Sequence, residues 1–350
     1  MRPIENHNVM VYALCMTLQE LSRKKALLDQ YRPLPPELVK NLEDWFRVEL
    51  TYTSNAIEGN TLTRRETALV LEKGLTVGGK SLREHLEASN HAAAIDWVRE
   101  RIRQIPETLG EREILEIHAM ILKGNDDANA GRYRNIAVRI SGSTVVLPNP
   151  AKVPDLMAAF ATWLAGSGDL HPVALAAEAH YRLVTIHPFI DGNGRTARLL
   201  MNLLLMMAGY PPAIIQKRER LAYLAALAKA QTGGSKSDYE SLIYRAADRS
   251  LDMYLKAVEG ETLMPSDDSA LLKIGELARR AAVANSTIRH WTKAGLLEVA
   301  EVTPSGYQLY GQDMVERVER IRALQKKRYT LEEIKAMLAA DLGDEATQEG

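Results

Sequence analysis

Apolar side chains recur at three- and four-residue spacing through most of the first part of the chain, the pattern of helices with one buried face. This spacing predicts helices over residues 38–53, 82–105, 111–123 and 153–165. Residues 172–186 are predicted to form a further buried helix, because Pro172 suits a first helical turn and Pro188 blocks continuation. The next helix begins near Gly194 and ends before the Gly-Tyr-Pro-Pro stop that starts at Gly209. The pattern therefore predicts a mainly α fold.

Three segments depart from this helical pattern. Residues 134–147 carry β-branched side chains on both sides of Gly142 and predict a short hairpin. Residues 298–310 predict a second hairpin, with a Pro-Ser-Gly turn. Residues 259–270 are polar and acidic and lie between two helical patterns, which indicates a linker. We therefore expect a large helical part, a small C-terminal domain over residues 271–340, and an acidic tail at 341–350.

The composition is that of a folded protein, since 46% of the 350 residues are hydrophobic and 25% are charged. The net charge of −1 excludes a uniformly basic nucleic-acid coat protein, although residues 271–340 carry twelve basic and eight acidic side chains. The single cysteine, Cys15, excludes an internal disulfide and a cysteine-based zinc module. The N-terminus has no leader pattern, and no apolar run reaches about 18 residues, so we expect a cytoplasmic protein without a membrane partner.

The segment HPFIDGNGRTAR, which begins at His187, carries the richest chemistry in the chain. Its two glycines, Gly192 and Gly194, allow a turn with positive φ whose N–H groups, together with the start of a helix, form an anion site. Arg195 and Arg198 lie on one face of that helix, and arginine is disfavoured at a helix N-terminus unless an anion compensates it. The segment is therefore predicted to bind phosphate.

Two further side chains of this segment are suited to chemistry on a bound phosphate. Asp191 supplies a carboxylate that a Mg²⁺ ion can share with phosphate groups. His187 can exchange a proton near neutral pH. A Gly-Asn-Gly turn alone is most simply an ordinary turn, but the combination of all these residues within twelve positions favours a site.

The segment resembles the signature of the Fic family, H-x-F-x-[D/E]-G-N-G-R-x-x-R, at every fixed position. The resemblance covers about residues 30–260 and includes EHLEASNH at 84–91 and GRYR at 131–134. It implies a Fic-type helical core with a β-hairpin flap, and a protein adenylyltransferase that transfers AMP from ATP to a Ser, Thr or Tyr hydroxyl of a target protein.

The resemblance also implies a role for each matching residue. His187 would be the general base, and Asp191 would hold Mg²⁺. The phosphates of ATP would be bound by Gly192, Asn193, Gly194, Arg195 and Arg198. The hairpin at 135–147 resembles the flap of the family, which pairs with an extended segment of the target. The flap residues expected to face the target are Ile140, Ser141, Gly142 and Ser143.

A second motif lies on the N-terminal side of the core. Residues 54–59, SNAIEG, resemble the inhibitory motif [S/T]-x-x-x-E-[G/N] of Fic proteins with N-terminal inhibition. The resemblance implies that Glu58 pairs with Arg198 where that arginine should hold the γ-phosphate, with Ser54 bonded near the same site. Without the Fic motif, a surface helix that ends at Gly59 would explain these residues. The same glutamate could instead align a water and reverse the modification, and the sequence leaves both roles open.

Residues 271–340 resemble the winged helix-turn-helix of MerR-type regulators, with helices at 274–280, 285–293, 313–326 and 331–338 and a wing at 298–310. The side chains expected to contact DNA are Ser286, Thr287, Arg289, His290 and Lys293. Ala282 and Gln308 depart from the family, which usually has Gly and Arg there. A module for protein–protein contact is therefore the alternative.

Together these motifs predict an adenylyltransferase that uses ATP and Mg²⁺, is autoinhibited by Glu58, and modifies an unidentified protein or itself. Residues 1–110 would form the N-terminal helical region, 111–258 the catalytic core, and 259–270 the linker. Double-stranded DNA and a second copy of the chain are further expected partners. The alternatives are transfer of a different group, a bifunctional enzyme that also removes AMP, and a transcriptional regulator whose core only senses ATP. The other histidines show no paired-ligand spacing and predict no zinc site: His85, His91, His118, His171 and His180.

Overall fold

The computed structural model describes residues 4–104, 109–140, 143–260, 271–302, 307–311, 313–326, 329–335 and 337. The chain divides into two compact units, Met1–Leu263 and Met264–Gly350, and each unit has its own apolar core. In the described part of the first unit the helices are α1 (Ile4–Asp29), α2 (Pro36–Ile57), α3 (Arg64–Lys73), α4 (Leu82–Gln104), α5 (Glu111–Leu122), α6 (Val153–Ala165), α7 (Pro172–Ile186), α8 (Asn193–Met207), α9 (Arg220–Gln231) and α10 (Ser237–Val258). The expectation of a mainly α fold is confirmed. No helix among the described residues is both long and apolar enough to cross a membrane.

Helix α8 is the central element of the first unit. It packs against α7, α5, α4 and α2, and every side chain from Arg195 to Leu205 is buried. A helix enclosed in this way has no solvated face, so its polar side chains must find partners inside the protein. Arg195 and Arg198, near its beginning, must therefore find partners inside the unit.

Helix α2 extends one turn further at its C-terminal end than the hydrophobic spacing predicts. It begins with Pro36 in the first turn, as proline allows, and it continues past residue 53 to Ile57, with Glu58 as the C-cap residue. Residues 53–57 are all buried, so packing inside the unit stabilises this last turn. The extension carries the predicted inhibitory motif into the interior, beside α8.

The predicted flap differs from a regular hairpin. No strand is formed by the described residues of this segment, 134–140 and 143–147. The N–H of Ser143 donates to the carbonyl of Ile140 at 3.1 Å. Two of the residues expected to face the target, Ser141 and Gly142, lie outside the described residues, as do linker residues 261–270 and the tail at 341–350.

The second unit contains a small sheet and short helices. Its described elements are β1 (Leu272–Lys273), α11 (Ile274–Arg280), α12 (Asn285–Lys293), β2 (Glu301–Val302), β3 (Gln308–Tyr310) and α13 (Asp313–Lys326), and residues 331–335 are also helical. The strands are antiparallel in the order β1-β3-β2, with Leu272 opposite Tyr310. The helices at 274–280, 285–293 and 313–326 are therefore confirmed at their predicted bounds. The predicted turn at 304–306 lies outside the described residues.

Candidate active site

The loop between α7 and α8 is closed by one side chain. The amide oxygen of Asn193 accepts the N–H of Phe189 at 3.0 Å, and its amide nitrogen donates to the carbonyl of Phe189 at 3.0 Å. Asn193 is buried, and its side chain holds the loop together, a role that the sequence did not predict. Gly192 caps α8 at φ 77°, and a Cβ there would meet the ring of His118 at 3.3 Å. Both its backbone angle and its neighbour therefore require glycine.

His118 of α5 packs against this loop and bonds to it. Its ring stacks on Phe189 with the centroids 3.5 Å apart and the planes 6° from parallel. Its Nδ1 accepts the N–H of Gly131 at 3.0 Å, so the ring proton is on Nε2, which donates to the carbonyl of Asp191 at 3.0 Å. Burial lowers the pKa of His118 to about 4, which keeps the ring neutral. His118 has this structural role because of partners that are distant in sequence, so its spacing gave no signal.

His187 is the last residue before the loop. It ends α7 with φ 50° and ψ 60°, an uncommon left-handed conformation for a residue with a Cβ. The Nδ1 of His187 lies 3.3 Å from the carbonyl of Val184, which can only accept, so Nδ1 carries the proton and Nε2 presents a lone pair. Burial lowers the pKa of His187, against the opposing effect of that carbonyl. The ring is therefore neutral at pH 7 and can accept a proton at Nε2.

Arg134 fixes the backbone around His187. Its guanidinium donates to the carbonyls of His187 at 2.8 Å, Ile136 at 3.1 Å and Pro148 at 2.7 Å. Its own N–H donates to the carbonyl of Pro188 at 2.9 Å. These bonds tie Arg134 and the carbonyls of Ile136 and Pro148 to the end of α7. The described residues of the segment, 134–140 and 143–147, form no strand.

Arg198 is paired with the predicted inhibitory motif. Its Nη2 lies 2.6 Å from Oε1 of Glu58, a residue 140 positions away in the chain, and 2.9 Å from the carbonyl of Ser54. Its Nε donates to Oγ of Ser54 at 2.9 Å. Burial acts to lower the pKa of Arg198, but Glu58 and Tyr223 outweigh that effect and raise it. The guanidinium is buried and charged, and Glu58 is its carboxylate partner.

The Glu58 carboxylate lies directly on the first turn of α8. A Cβ added to Gly194 would collide with Oε1 of Glu58 and would meet Nη1 of Arg198 at 3.0 Å. That Nη1 is buried and has no hydrogen-bond partner by ordinary geometric criteria. The beginning of a helix attracts anions, because its N–H groups are unpaired and the helix dipole is positive there. Glu58 therefore occupies the position that the sequence predicts for a phosphate.

Arg195 has different partners from Arg198, although both belong to the first turns of α8. Its Nη1 lies 3.2 Å from Oε1 of Glu87 on α4, and its Nη2 lies 3.3 Å from Oδ2 of Asp191. The Nε of Arg195 is buried without a hydrogen-bond partner. The two arginines are therefore paired with carboxylates from different elements, Arg195 with Glu87 of α4 and Arg198 with Glu58 at the end of α2.

The Asp191 carboxylate is ionised and partly exposed. Burial acts to raise the pKa of Asp191, but Arg195, the N–H of Gly192 and Arg83 together hold it below its ordinary value. No group of three or more His, Cys, Asp or Glu side chains that could hold a metal occurs among the described residues. A lone carboxylate beside an anion site suits a Mg²⁺ ion that takes its remaining ligands from phosphate and water. The donor set therefore fits Mg²⁺ bound together with a nucleotide.

In the second unit, α12 presents the predicted polar face. Ser286, Arg289, His290 and Lys293 are exposed and Thr287 is half-buried, whereas Ile288 and Trp291 anchor the helix in the core. The two departures from the family pattern also have structural consequences. Ala282 adopts φ 51°, which explains why glycine is usual there. The side chain of Gln308 accepts a hydrogen bond from the Tyr310 hydroxyl at 3.1 Å.

Comparisons with known proteins agree with this geometry. Residues 108–205 match the model of the Fic/DOC family, and residues 272–341 match that of the MerR HTH family regulatory protein. A protein adenylyltransferase Fic from Nematostella vectensis is 42% identical over 206 residues, which cover 58% of this chain and 48% of that protein. The corresponding protein from Culex quinquefasciatus is 38% identical over 241 residues, covering 68% of this chain and 47% of that protein. The chain thus spans about half the length of the curated relatives it matches.

Solved structures show the same fold. A fragment of Fic-1 from C. elegans superposes with a TM-score of 0.67 at 29% identity, covering 73% of this chain and 76% of that one. A Fic-domain signalling protein from Bacteroides thetaiotaomicron superposes with a TM-score of 0.64 at 32% identity, covering 71% of this chain and 99% of that one. Because almost the whole of that bacterial structure is matched, and the family model matches residues 108–205, which contain the loop described above, the chain belongs to the Fic family.

Proposed function

We propose that this chain is a protein adenylyltransferase that transfers AMP from ATP to a protein hydroxyl and is restrained by Glu58. The observation that carries the proposal is the neutral His187, with its Nε2 lone pair available, at one end of a loop whose other end is the anion-binding start of α8. The names of the relatives support the same activity for the shared region.

The residues of the site divide the chemistry between them. His187 Nε2 takes the proton of the target hydroxyl while the hydroxyl oxygen forms a bond to the α-phosphorus of ATP. The bond from the α-phosphorus to the bridging oxygen of the β-phosphate breaks, and pyrophosphate leaves. Arg198 and the N–H groups at the start of α8 bind the leaving phosphates. Asp191 would hold Mg²⁺, which when bound neutralises phosphate charge.

The activity can be tested by the mass that the protein gains. We expect the Glu58→Gly chain, incubated with ATP and Mg²⁺, to gain one or more AMP groups on itself or on an added protein extract. ATP labelled at the α-phosphate should transfer its label, and ATP labelled at the γ-phosphate should not. Transfer of the γ label, or no label transfer to any protein, would contradict the proposal. The first outcome would indicate phosphoryl transfer, and the second would favour a core that only senses ATP.

The C-terminal unit supports a second, separate function. We propose that residues 271–340 bind double-stranded DNA through α12, because the helix buries Ile288 and Trp291 and leaves a basic face exposed. From the sequence we further propose that residues 259–270 form a linker, that the protein is cytoplasmic, and that it forms a homodimer.

For this unit we expect the full chain to bind a mixed-sequence DNA duplex with an affinity that falls steeply with salt. Replacing Arg289 and Lys293 together by alanine should reduce the slope of log K against log salt by about 2, because each phosphate contact contributes about 0.9. The matched control replaces the exposed Lys40 and Arg139 of the first unit and should leave the slope unchanged. Equal slopes for both double variants would favour the protein-contact alternative.

A further inference from the structure

Arg134 is the last residue of the GRYR segment, and the proposed chemistry gives it no role. Its side chain is buried, with 3% of the residue exposed. The guanidinium donates from Nε to the carbonyl of His187 at 2.8 Å, from Nη1 to that of Ile136 at 3.1 Å, and from Nη2 to that of Pro148 at 2.7 Å. Its acceptors among the described residues are therefore main-chain carbonyls, at the end of α7 and on both sides of the flap segment.

The backbone of Arg134 bonds to the same loop as its side chain. Its N–H donates to the carbonyl of Pro188 at 2.9 Å. One residue is thus the donor to the carbonyls of two consecutive residues, His187 and Pro188. Because each carbonyl lies in the plane of its peptide bond, the two bonds fix the direction of both peptide planes that follow the Cα atom of His187.

The backbone conformation of His187 requires support of this kind. Its φ of 50° and ψ of 60° are left-handed, which is unfavourable for a residue with a Cβ and persists only where the surrounding contacts enforce it. On the helix side, the N–H of His187 donates to the carbonyl of Leu183 at 2.9 Å. On the loop side, the bond from Arg134 to the carbonyl of His187 holds ψ.

The position of the His187 proton depends on the same conformation. In the left-handed backbone, Nδ1 lies 3.3 Å from the carbonyl of Val184, one turn back in α7, and that contact keeps the proton on Nδ1. A histidine without such a partner is a mixture of both tautomers, and the tautomer with its proton on Nε2 cannot accept another there. A change of φ and ψ at residue 187 would turn its Cβ and move the ring away from Val184.

We propose that Arg134 is a positioning residue for the base: its bonds to the carbonyls of His187 and Pro188 keep His187 left-handed, with the proton on Nδ1 and the lone pair on Nε2. The inference rests on the proposed function, because it takes Nε2 of His187 as the atom that accepts the proton of the target hydroxyl. Binding of ATP remains with the first turn of α8 and is expected to be independent of Arg134.

The tautomer can be measured in the full chain without a nucleotide or a target. We expect the ¹⁵N NMR spectrum of wild-type protein labelled at histidine to show a protonated Nδ1 and an unprotonated Nε2 for His187, whose signals are those lost in His187→Ala. Arg134→Lys should shift both signals toward the mixture found in free histidine. Lysine keeps the positive charge, which lowers the pKa of His187 together with burial, but lacks the Nε–H and the planar fork. A proton on Nε2 in the wild type, or identical spectra for the two proteins, would overturn the inference.

The rate of AMP transfer separates positioning of the base from general damage. In the Glu58→Gly background, Arg134→Lys should lower the single-turnover rate at saturating ATP by about tenfold, a part of what a general base contributes, and change the Kd for ATP less than about twofold. In a chain that also carries His187→Ala, Arg134→Lys should lower the remaining rate less than about twofold, because no base is left to position. A merely structural role would weaken ATP binding, or lower the rate by the same factor in both backgrounds, and either result would refute the inference.

The matched control is Arg132→Lys, since Arg132 belongs to the same GRYR segment and is exposed. It should leave the spectrum, the rate and the Kd unchanged. If Arg134→Lys does not fold, Arg134→Gln replaces it, and the wild-type spectrum still overturns the inference if Nε2 carries the proton. Failure of the Glu58→Gly parent to transfer the α label would instead refute the proposed function, whereas the spectra would still decide whether Arg134 positions the ring.

Discussion

Replacing Glu58 by glycine is expected to raise both the affinity for ATP and the rate of adenylyl transfer, by about a hundredfold in kcat/KM. The wild-type carboxylate pairs with Arg198 at 2.6 Å and lies against Gly194, so it blocks the anion position by charge and by volume. Its removal gives a phosphate two charge-assisted hydrogen bonds from Arg198, each worth about 1.5–3 kcal/mol. Initial rates of AMP incorporation and calorimetric Kd values for the two proteins measure the change.

Two variants test whether the gain in activity comes from removing the Glu58 carboxylate from the site. Glu58→Gln keeps the volume and loses the charge, so we expect an intermediate gain if both factors contribute. Glu259→Gly is the matched control, because Glu259 caps the C-terminus of α10, a helix of 22 residues like α2. That control should behave as the wild type. Equal incorporation by the wild type and Glu58→Gly would show that Glu58 does not restrain the enzyme.

In the Glu58→Gly background, His187→Ala is expected to lower the rate of transfer by about 10²–10⁴-fold, the usual contribution of a general base. The Kd for ATP should remain nearly constant, since His187 ends α7 whereas the phosphates are proposed to bind at the first turn of α8. Single-turnover rates at saturating ATP separate the two quantities. Loss of ATP affinity without loss of rate at saturation would contradict the role of base.

The pH profile provides an independent check of the same residue. Burial lowers the pKa of His187 below its ordinary value of 6.5, so the neutral, proton-accepting ring persists as the pH falls through 6.5. We therefore expect the rate to stay constant from pH 8 to about 6.5 and to fall only under more acidic conditions. The exposed His290 is the control, and His290→Ala should leave both the rate and the profile unchanged.

The helices of the core were largely predictable, because their apolar spacing records which face is buried. Helices α6 and α7 have the predicted bounds, and α8 begins one residue before Gly194, whereas the bounds of α11, α12 and α13 followed from the MerR resemblance. The turn chemistry of the HPFIDGNGRTAR segment is equally local, since glycine, proline and the helix start act within a few residues. The apolar spacing did not predict the last turn of α2, which is buried and stabilised by tertiary contacts.

At the site, too, some features follow from local sequence patterns and others depend on tertiary contacts. The pairing of Glu58 with Arg198 follows from family resemblance alone, because nothing within the chain's local pattern links residues 140 positions apart. No sequence pattern predicted the support of the loop by His118, and the family resemblance included Arg134 only as part of GRYR, without its three carbonyl partners. The family resemblance placed Asn193 among the phosphate-binding residues, and the structure adds that its side chain closes the loop.

The sequence by itself determined the helical class, and it predicted the turn for an anion and the residue types proposed to carry the chemistry. These depend on backbone preferences and hydrophobic periodicity, which act over one or two turns of chain. Only the tertiary structure decided that Arg195 and Arg198 take different carboxylates, that Glu58 covers Gly194, and that His180 bonds to both Tyr223 and Tyr239. A buried charge takes whichever partner the packing of helices brings within reach, and that choice depends on elements far apart in the chain.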